Sequence, residues 1–273
     1  MSRKSKVNTK EFNFFSAKGL FVKEHGEILR PYAKIVIGNC SNEASTEGLV
    51  IMSDPGGASE KEDEKDDEGL IKVEPDPTMK SIFGHIRLIK MEWDDATWEK
   101  DFNLTLHILN LIPIDTKNKS ACKTLADIEQ MRKIFKKIRL NYANYKFFWL
   151  AWGSNKKIKI NDNCDIKSIA VTKPPRDKKN SSCCCDGEGN FNSNLLVIHK
   201  KFDIIKENIG LLNCLLKAKI YEKIVGDPGE DEWESSCADI VKKTWRHPLS
   251  RMEHTNWRRI LHGISQACCP PAN

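Results

Sequence analysis

Apolar residues follow two different periods along this 273-residue chain, and this feature limits its fold more than any other. Around residues 20–22, 33–37 and 49–52 they alternate with polar residues, which is the spacing of half-buried strands. In two later stretches they recur three and four residues apart, as on one face of an amphipathic helix. The pattern predicts an α+β fold with a mixed, mostly antiparallel sheet and two main helices.

Further structured stretches lie in the middle of the chain. Structure resumes with the apolar residues Ile82, Ile86 and Leu88. Apolar and polar residues then alternate from 102 to 108, and Pro113 ends that strand because it lacks a backbone donor. The aromatic-rich run 142–152 predicts a buried strand. A turn at 153–155 then predicts a hairpin with a second strand at 158–160.

Two helices are predicted from amphipathic stripes. The first begins at Thr124, a candidate N-cap with Asp127 three residues on, and its apolar stripe is Leu125, Ile128, Met131, Phe135 and Ile138. The second follows a strand at 195–199 and runs from 203 to 225, where Gly226 stops it. Its stripe is Ile205, Ile209, Leu212, Leu216 and Ile220.

Composition divides the chain into three parts. We expect residues 1–12 to form a basic disordered arm, 13–226 an α+β core domain and 227–273 a small C-terminal helical unit with a tail. A polar loop at 173–194 is predicted to interrupt the core. It is also interrupted at 54–78, where ten acids, three lysines and several prolines and glycines predict a disordered acidic insertion.

Charge is distributed unevenly. The acidic insertion has a net charge of −7 and the whole chain has a net charge of +6, so the rest of the chain carries +13. A basic body attracts nucleic acid or an anionic membrane surface, and an acidic insertion is suited to a protein partner. A lysine-rich surface that serves solubility alone remains the alternative.

The chain has no apolar run long enough for a transmembrane segment and no secretory signal at its N-terminus, which predicts an intracellular protein of the nucleus or cytoplasm. Five of its ten cysteines occur in the runs 183–185 and 268–269. Adjacent cysteines do not readily pair as regular disulfides, so we expect reduced thiols. The run 183–185 follows lysines and is a candidate for acylation, although an exposed thiol loop is the simpler interpretation.

Catalytic motifs are missing from the sequence. It contains no phosphate-binding loop, dinucleotide fingerprint, serine elbow, kinase signature or zinc-protease helix, so we expect a protein that is not an enzyme and needs no cofactor. An enzyme with a dispersed site is the alternative. Cysteines and histidines crowd the C-terminus without zinc-ligand spacing, and no metal site is predicted from Cys237, His247, His254, His262, Cys268 and Cys269.

Two basic segments are the candidate nucleic-acid-binding sites, because lysine and arginine neutralise phosphates and release counterions. The first is the polar face of the first helix, with Arg132, Lys133, Lys136, Lys137 and Arg139. The second interleaves cations with indoles, a mixture that also suits a membrane interface, and contains Lys242, Lys243, Trp245, Arg246, Arg251, Arg258 and Arg259. The aromatic residues at 147–152 are interpreted as core rather than as a stacking platform for bases.

Lys72 is a candidate modification site. The run Ile71-Lys72-Val73-Glu74 resembles sites of conjugation by a small ubiquitin-like modifier, and its place in the acidic insertion predicts that it is accessible.

The preferred interpretation is a non-enzymatic assembly or structural protein that associates with RNA or DNA. A basic arm, a compact α+β body and a basic aromatic tail form a layout that resembles the matrix and accessory proteins of negative-strand RNA viruses. The main rival is a host regulatory adaptor that binds proteins through its acidic insertion and C-terminal helices.

Overall fold

The computed structural model describes residues 14–38, 46–53, 55–92, 103–113, 124–152, 156–160, 166–172, 195–197, 202–218, 223–225, 260 and 262–264. For residues 14, 62, 63, 87–92, 156–160, 166–172 and 195–197 it describes the backbone alone. The elements in chain order are β1 (Phe14–Glu24), β2 (Glu27–Gly38), β3 (Thr46–Met52), β4 (Ser59–Lys65), β5 (Ile71–Glu74), α1 (Pro77–Glu92), β6 (Asn103–Asn110), α2 (Ile128–Asn141), β7 (Phe147–Ala151), β8 (Lys156–Ile160), β9 (Ile166–Thr172), β10 (Leu195–Val197), α3 (Asp203–Lys217) and β11 (Ile224–Val225).

An eight-stranded mixed sheet forms the centre, in the order β11-β7-β3-β6-β2-β1-β5-β4. The strands from β11 to β6 pair in parallel, and those from β6 to β4 pair antiparallel. A separate antiparallel sheet has the order β10-β9-β8. The predicted α+β class, with a mixed and mostly antiparallel sheet, is therefore confirmed. The 16-residue helix α1 is a third long helix beside the two that were predicted.

Both faces of the large sheet are covered. The helices α2 and α3 pack on one face, where they enclose side chains such as Leu49, Phe148 and Leu212. On the other face α1 and the helical residues Ile260 and Ile264 pack against a second cluster. Strands buried on both faces carry few exposed positions. All eight residues of β6 are accordingly buried, including the polar residues that alternation would direct to solvent.

The acidic insertion is the largest difference from the sequence-based prediction. The prediction that 54–78 is disordered is wrong, because β4 and β5 lie in this segment and α1 begins at Pro77. Ile71 and Val73 are buried in the second cluster, whereas Glu74 is exposed. Two apolar residues on the inward side of a short strand are enough to dock it when cations elsewhere in the fold neutralise its acids.

The predicted hairpin between the strands 142–152 and 158–160 is also wrong. Both sides of β7 are occupied in parallel pairing, by β3 on one side and β11 on the other. The strand β8 pairs with β9 in the smaller sheet instead. A turn sequence predicts a change of direction, but it does not identify which strand the chain then pairs with.

The helix boundaries differ from the prediction at two ends. The cap of α2 is Asp127 rather than Thr124, since the Asp127 carboxylate accepts a hydrogen bond from the Gln130 backbone N–H at 2.6 Å. The helix α3 ends at Lys217, and the Ala218 N–H bonds the Cys214 carbonyl. Residues 224–225, predicted as its last turn, instead form the edge strand β11.

Several predicted segments lie outside the described residues. These are the arm 1–12, the loop 173–194 with its three cysteines, and most of the C-terminal unit.

Candidate nucleic-acid interface

The helix α2 owes its orientation to a strong division between its two sides. Met131, Ile134, Phe135 and Ile138 are buried against the sheet and α3. The cap at Asp127 fixes where the helix begins. Burial of four large side chains on one stripe determines the rotation of the helix, so the opposite side must face solvent.

That solvent side carries all five predicted cations. They are exposed along the helix, and we call this surface the α2 basic face: Arg132, Lys133, Lys136, Lys137 and Arg139. In the part of the chain that the structure describes, Lys133, Lys136 and Arg139 form no ion pair. The sequence-based prediction that these residues share one exposed surface agrees with their positions.

Two cations of the face, Arg132 and Lys137, are held by carboxylates. Arg132 pairs with Glu129 one turn earlier, and its Nε lies 3.1 Å from Glu207 Oε1 on α3. These carboxylates raise the pKa of the Arg132 guanidinium above its ordinary value. Lys137 Nζ donates to Glu68 Oε1 at 2.6 Å, and this bond raises the pKa of the ammonium group.

Glu68 connects the α2 basic face to the sheet. It lies in the turn between β4 and β5, and its second carboxylate oxygen is 3.1 Å from Lys34 Nζ on β2. Partial burial opposes ionisation of this carboxyl, but hydrogen bonds from Lys137 and Lys34 outweigh that cost and lower its pKa to about 2. Glu68 is therefore a carboxylate at all physiological pH values, shared between two lysines.

One apolar side chain interrupts the basic surface. Leu140, in the last turn of α2, is 69% exposed, and it is the only large hydrophobic side chain in the described residues that is exposed to solvent. It follows Lys136 by four residues and therefore lies on the same side of the helix.

The second predicted binding segment, with Lys242, Lys243, Trp245, Arg246, Arg251, Arg258 and Arg259, lies outside the described residues. Of the C-terminal histidines and cysteines, His262 alone is described, and it is exposed. The aromatic residues of β7 belong to the core, as predicted, since Phe147, Phe148, Trp149 and Trp152 are each at most 2% exposed.

Lys72 does not lie in an accessible loop. It is on β5, between β1 and β4 in the sheet, and it is partly buried. Its neighbours Ile71 and Val73 belong to the core. The accessibility on which the modification prediction depended is therefore wrong, because a paired strand must leave the sheet before a conjugating enzyme can bind it in extended form.

A buried polar group on the sheet was not predicted from the sequence. The Tyr32 hydroxyl and His107 Nδ1 are 2.6 Å apart, and His107 Nε2 lies 3.6 Å from Glu47 Oε1. His107 lowers the pKa of the Glu47 carboxyl. Burial raises the pKa of Tyr32 and of Tyr145, whose ring packs edge-on against His107. Residues 32, 47 and 107 meet only through strand pairing, which the local sequence does not show.

A small cavity lies where the parallel strands β3 and β6 end. Its volume of about 10 Å³ has room for about one water molecule. The polar residues that line it include Arg30, Asp76 and Asn110. The Arg30 guanidinium is 3.1 Å from the Asp76 carboxylate, and both side chains are 2% exposed. Adjacent parallel strands often end at a ligand site, but this cavity is too small to hold a small-molecule substrate.

Two further findings concern metal ligands and membrane spans among the described residues. No three of their histidine, cysteine or acidic side chains converge as metal ligands would. None of their helices combines the length and the apolar character that crossing a bilayer requires. Compared with protein families, characterised proteins and solved structures, the chain gives no significant match. The argument for function therefore depends on the site itself.

Proposed function

We propose that this protein is a non-enzymatic nucleic-acid-binding protein that contacts phosphates through the α2 basic face. One observation carries the proposal: Lys133, Lys136 and Arg139 are exposed on one side of a rigid helix and form no ion pair with a described residue. Each such cation can neutralise a phosphate and release the counterions that surround it.

The dimensions of the face suit a phosphate backbone. Lys133 and Arg139 are six residues apart, which corresponds to about 9 Å along a helix axis. Phosphates of one DNA strand follow one another at about 3.4 Å along the duplex axis. Three cations over this length can therefore contact two or three successive phosphates. They supply affinity without reading base edges, so we expect weak sequence preference.

An anionic membrane is the less favoured ligand of the same face. Helices that bind the membrane interface place a row of large apolar side chains in the lipid, beside the cations that contact headgroups. Leu140 is the one such side chain exposed on the described residues. A single leucine contributes about 2 kcal/mol when buried, which is too little for stable anchoring.

The test is fluorescence anisotropy of a labelled short duplex DNA and a labelled single-stranded RNA with the full chain, between about 50 and 200 mM salt. We expect affinity to fall steeply with salt. The triple variant Lys133→Ala/Lys136→Ala/Arg139→Ala should lower the slope of log affinity against log salt by about 2–3.

A matched control removes three exposed lysines elsewhere that form no ion pair with a described residue, Lys23→Ala/Lys61→Ala/Lys146→Ala, and should lower the slope by less than about 0.9, the value for one phosphate contact. Equal effects of the two triple variants, or no binding by the unaltered chain, contradict the proposal. The variant Arg258→Ala/Arg259→Ala tests the C-terminal segment independently. Anionic vesicles form a third arm, and vesicle binding that Leu140→Ala abolishes, without binding of either nucleic acid, would identify the membrane as the ligand.

A further inference from the structure

We further infer that intramolecular carboxylates limit the phosphate footprint of the α2 basic face to Lys133, Lys136 and Arg139, and that Glu68 holds Lys137 out of it. This inference depends on the proposed function of the same face. It concerns which cations bind and how the site is restrained.

The argument begins with two adjacent lysines of equal charge. Lys136 and Lys137 are both exposed on α2, but only Lys137 has a carboxylate partner, with its Nζ 2.6 Å from Glu68 Oε1. A phosphate that approaches Lys137 must displace a charged hydrogen-bond acceptor that is already in place. Exchange of one anion for another yields little net free energy, whereas Lys136 gives up only water.

The geometry of Glu68 adds to this cost. Its other oxygen binds Lys34, which is about one-quarter exposed. If Lys137 turned toward a phosphate, Glu68 would keep only one cation in a half-buried position. Its own backbone is fixed, because Asp66 Oδ1 accepts hydrogen bonds from the Glu68 N–H at 3.0 Å and the Leu70 N–H at 2.9 Å. Glu68 therefore cannot follow Lys137 away from the sheet.

Two acids restrain Arg132. Glu129 lies on α2 and Glu207 on α3, so the guanidinium bridges the two helices. Both contacts are solvent-exposed and individually weak. Together they hold the Arg132 guanidinium between Glu129 and Glu207. The carboxylates that bind Lys137 and Arg132 also repel phosphates that approach these two cations.

The decisive experiment compares two single variants of the full chain on the labelled duplex DNA. Lys136→Ala should weaken binding about fivefold and lower the salt slope by about 0.9, whereas Lys137→Ala should change affinity by less than about twofold. Equal losses from the two variants would overturn the inference. This comparison leaves Glu68 intact and so does not depend on how well a Glu68 variant folds.

A second set of variants tests the restraint directly. Glu68→Gln should strengthen binding about fivefold and raise the slope by about 0.9, and adding Lys137→Ala should remove this gain. Glu74→Gln is the matched control, since it also frees a lysine, Lys80, but at another site. A gain from Glu74→Gln as large as that from Glu68→Gln would mean that overall charge alone is responsible, and would overturn the inference.

The two proposals fail in different ways. If the triple variant of Lys133, Lys136 and Arg139 binds DNA as well as the unaltered chain, the proposed function is wrong. If the triple variant loses binding but Lys136→Ala and Lys137→Ala are indistinguishable, the function stands and the restricted footprint is wrong.

Discussion

The α2 basic face and the acidic insertion at 54–78 are both densely charged, but their charges have opposite roles in the fold. On α2 the apolar residues form the contact with the core, and three cations remain unengaged among the described residues. In the acidic insertion the charges themselves attach the chain to the fold. Asp76 pairs with Arg30, Asp66 with Lys18, and Glu68 with Lys34 and Lys137. A high density of charge therefore does not distinguish a candidate binding surface from a segment whose charges stabilise the fold. The two are distinguished by whether each charge has an intramolecular partner.

The largest expected effect lies in the acidic insertion, at its buried carboxylate. Asp76→Ala should lower the free energy of unfolding by about 3–5 kcal/mol, because it removes the carboxylate that lies 3.1 Å from the buried Arg30 guanidinium. It also removes the acceptor of the Met79 N–H at the start of α1, which is 2.8 Å from Asp76 Oδ1. Urea denaturation measures the loss. Asp67→Ala, an exposed acid of the same segment, is the control and should cost less than about 0.5 kcal/mol.

The next effect concerns the apolar contact of β5. Ile71→Ala should cost about 2–4 kcal/mol, because the side chain is 1% exposed and its removal leaves a cavity. Ile71→Val should cost about 1 kcal/mol at the same site. If both variants melted at the temperature of the unaltered chain, the segment would be an appendage and the contrast with α2 would disappear.

A smaller effect depends on pH. The folded-state pKa of Glu68 is about 2, below its ordinary value of 4.5. The carboxylate therefore stabilises the fold fully above pH 4.5, and this contribution is lost as the pH falls toward 2. Solvent screening limits it to about 1 kcal/mol. Urea titrations from pH 6 down to about pH 3 should show a shallower decline for Glu68→Gln than for the unaltered chain, and identical declines would contradict this account.

The smallest effect is expected on α2 itself. Lys133→Ala, Lys136→Ala and Arg139→Ala should each change the free energy of unfolding by less than about 0.5 kcal/mol, because exposed and unpaired cations contribute little to stability. The same variants should weaken DNA binding. A cation whose loss destabilised the fold by more than about 1 kcal/mol would belong with the structural charges rather than with the proposed binding surface.

The same contrast explains which features the sequence could predict. The stripe and the basic face of α2 are visible locally, since residues three and four apart share a helix side whatever the rest of the chain does. The strands β1, β2, β3, β6 and β7 follow from alternation or from continuous apolar runs. In each case the signal lies within about a dozen neighbouring residues.

Features that depend on distant partners could not be predicted. Glu68 meets Lys34 and Lys137 only after three separate elements have packed together. Glu24, at the end of β1, accepts a hydrogen bond from the Asp203 N–H at 2.6 Å and so serves the start of α3 from 179 residues away. Residues 224–225 are predicted as helix but form the strand β11. No local pattern indicates that they pair with β7, which lies about 75 residues earlier in the chain. Tertiary context outweighs local propensity in such places.

The position of β3 has a consequence for how the chain acquires its structure during synthesis. This strand lies between β6 and β7, and β7 in turn pairs with β11, so the centre of the sheet depends on pairings between distant residues, such as Thr46 with Leu104 and Gly48 with Phe147. Strand pairings over such separations form slowly, because closing a long loop costs conformational entropy before the strand contacts lower the free energy. The hairpin of β1 and β2 can form as soon as it leaves the ribosome. The apolar strand β3 must wait for β6 and β7 to be made, and nascent chains that stop before residue 151 should therefore aggregate or recruit chaperones.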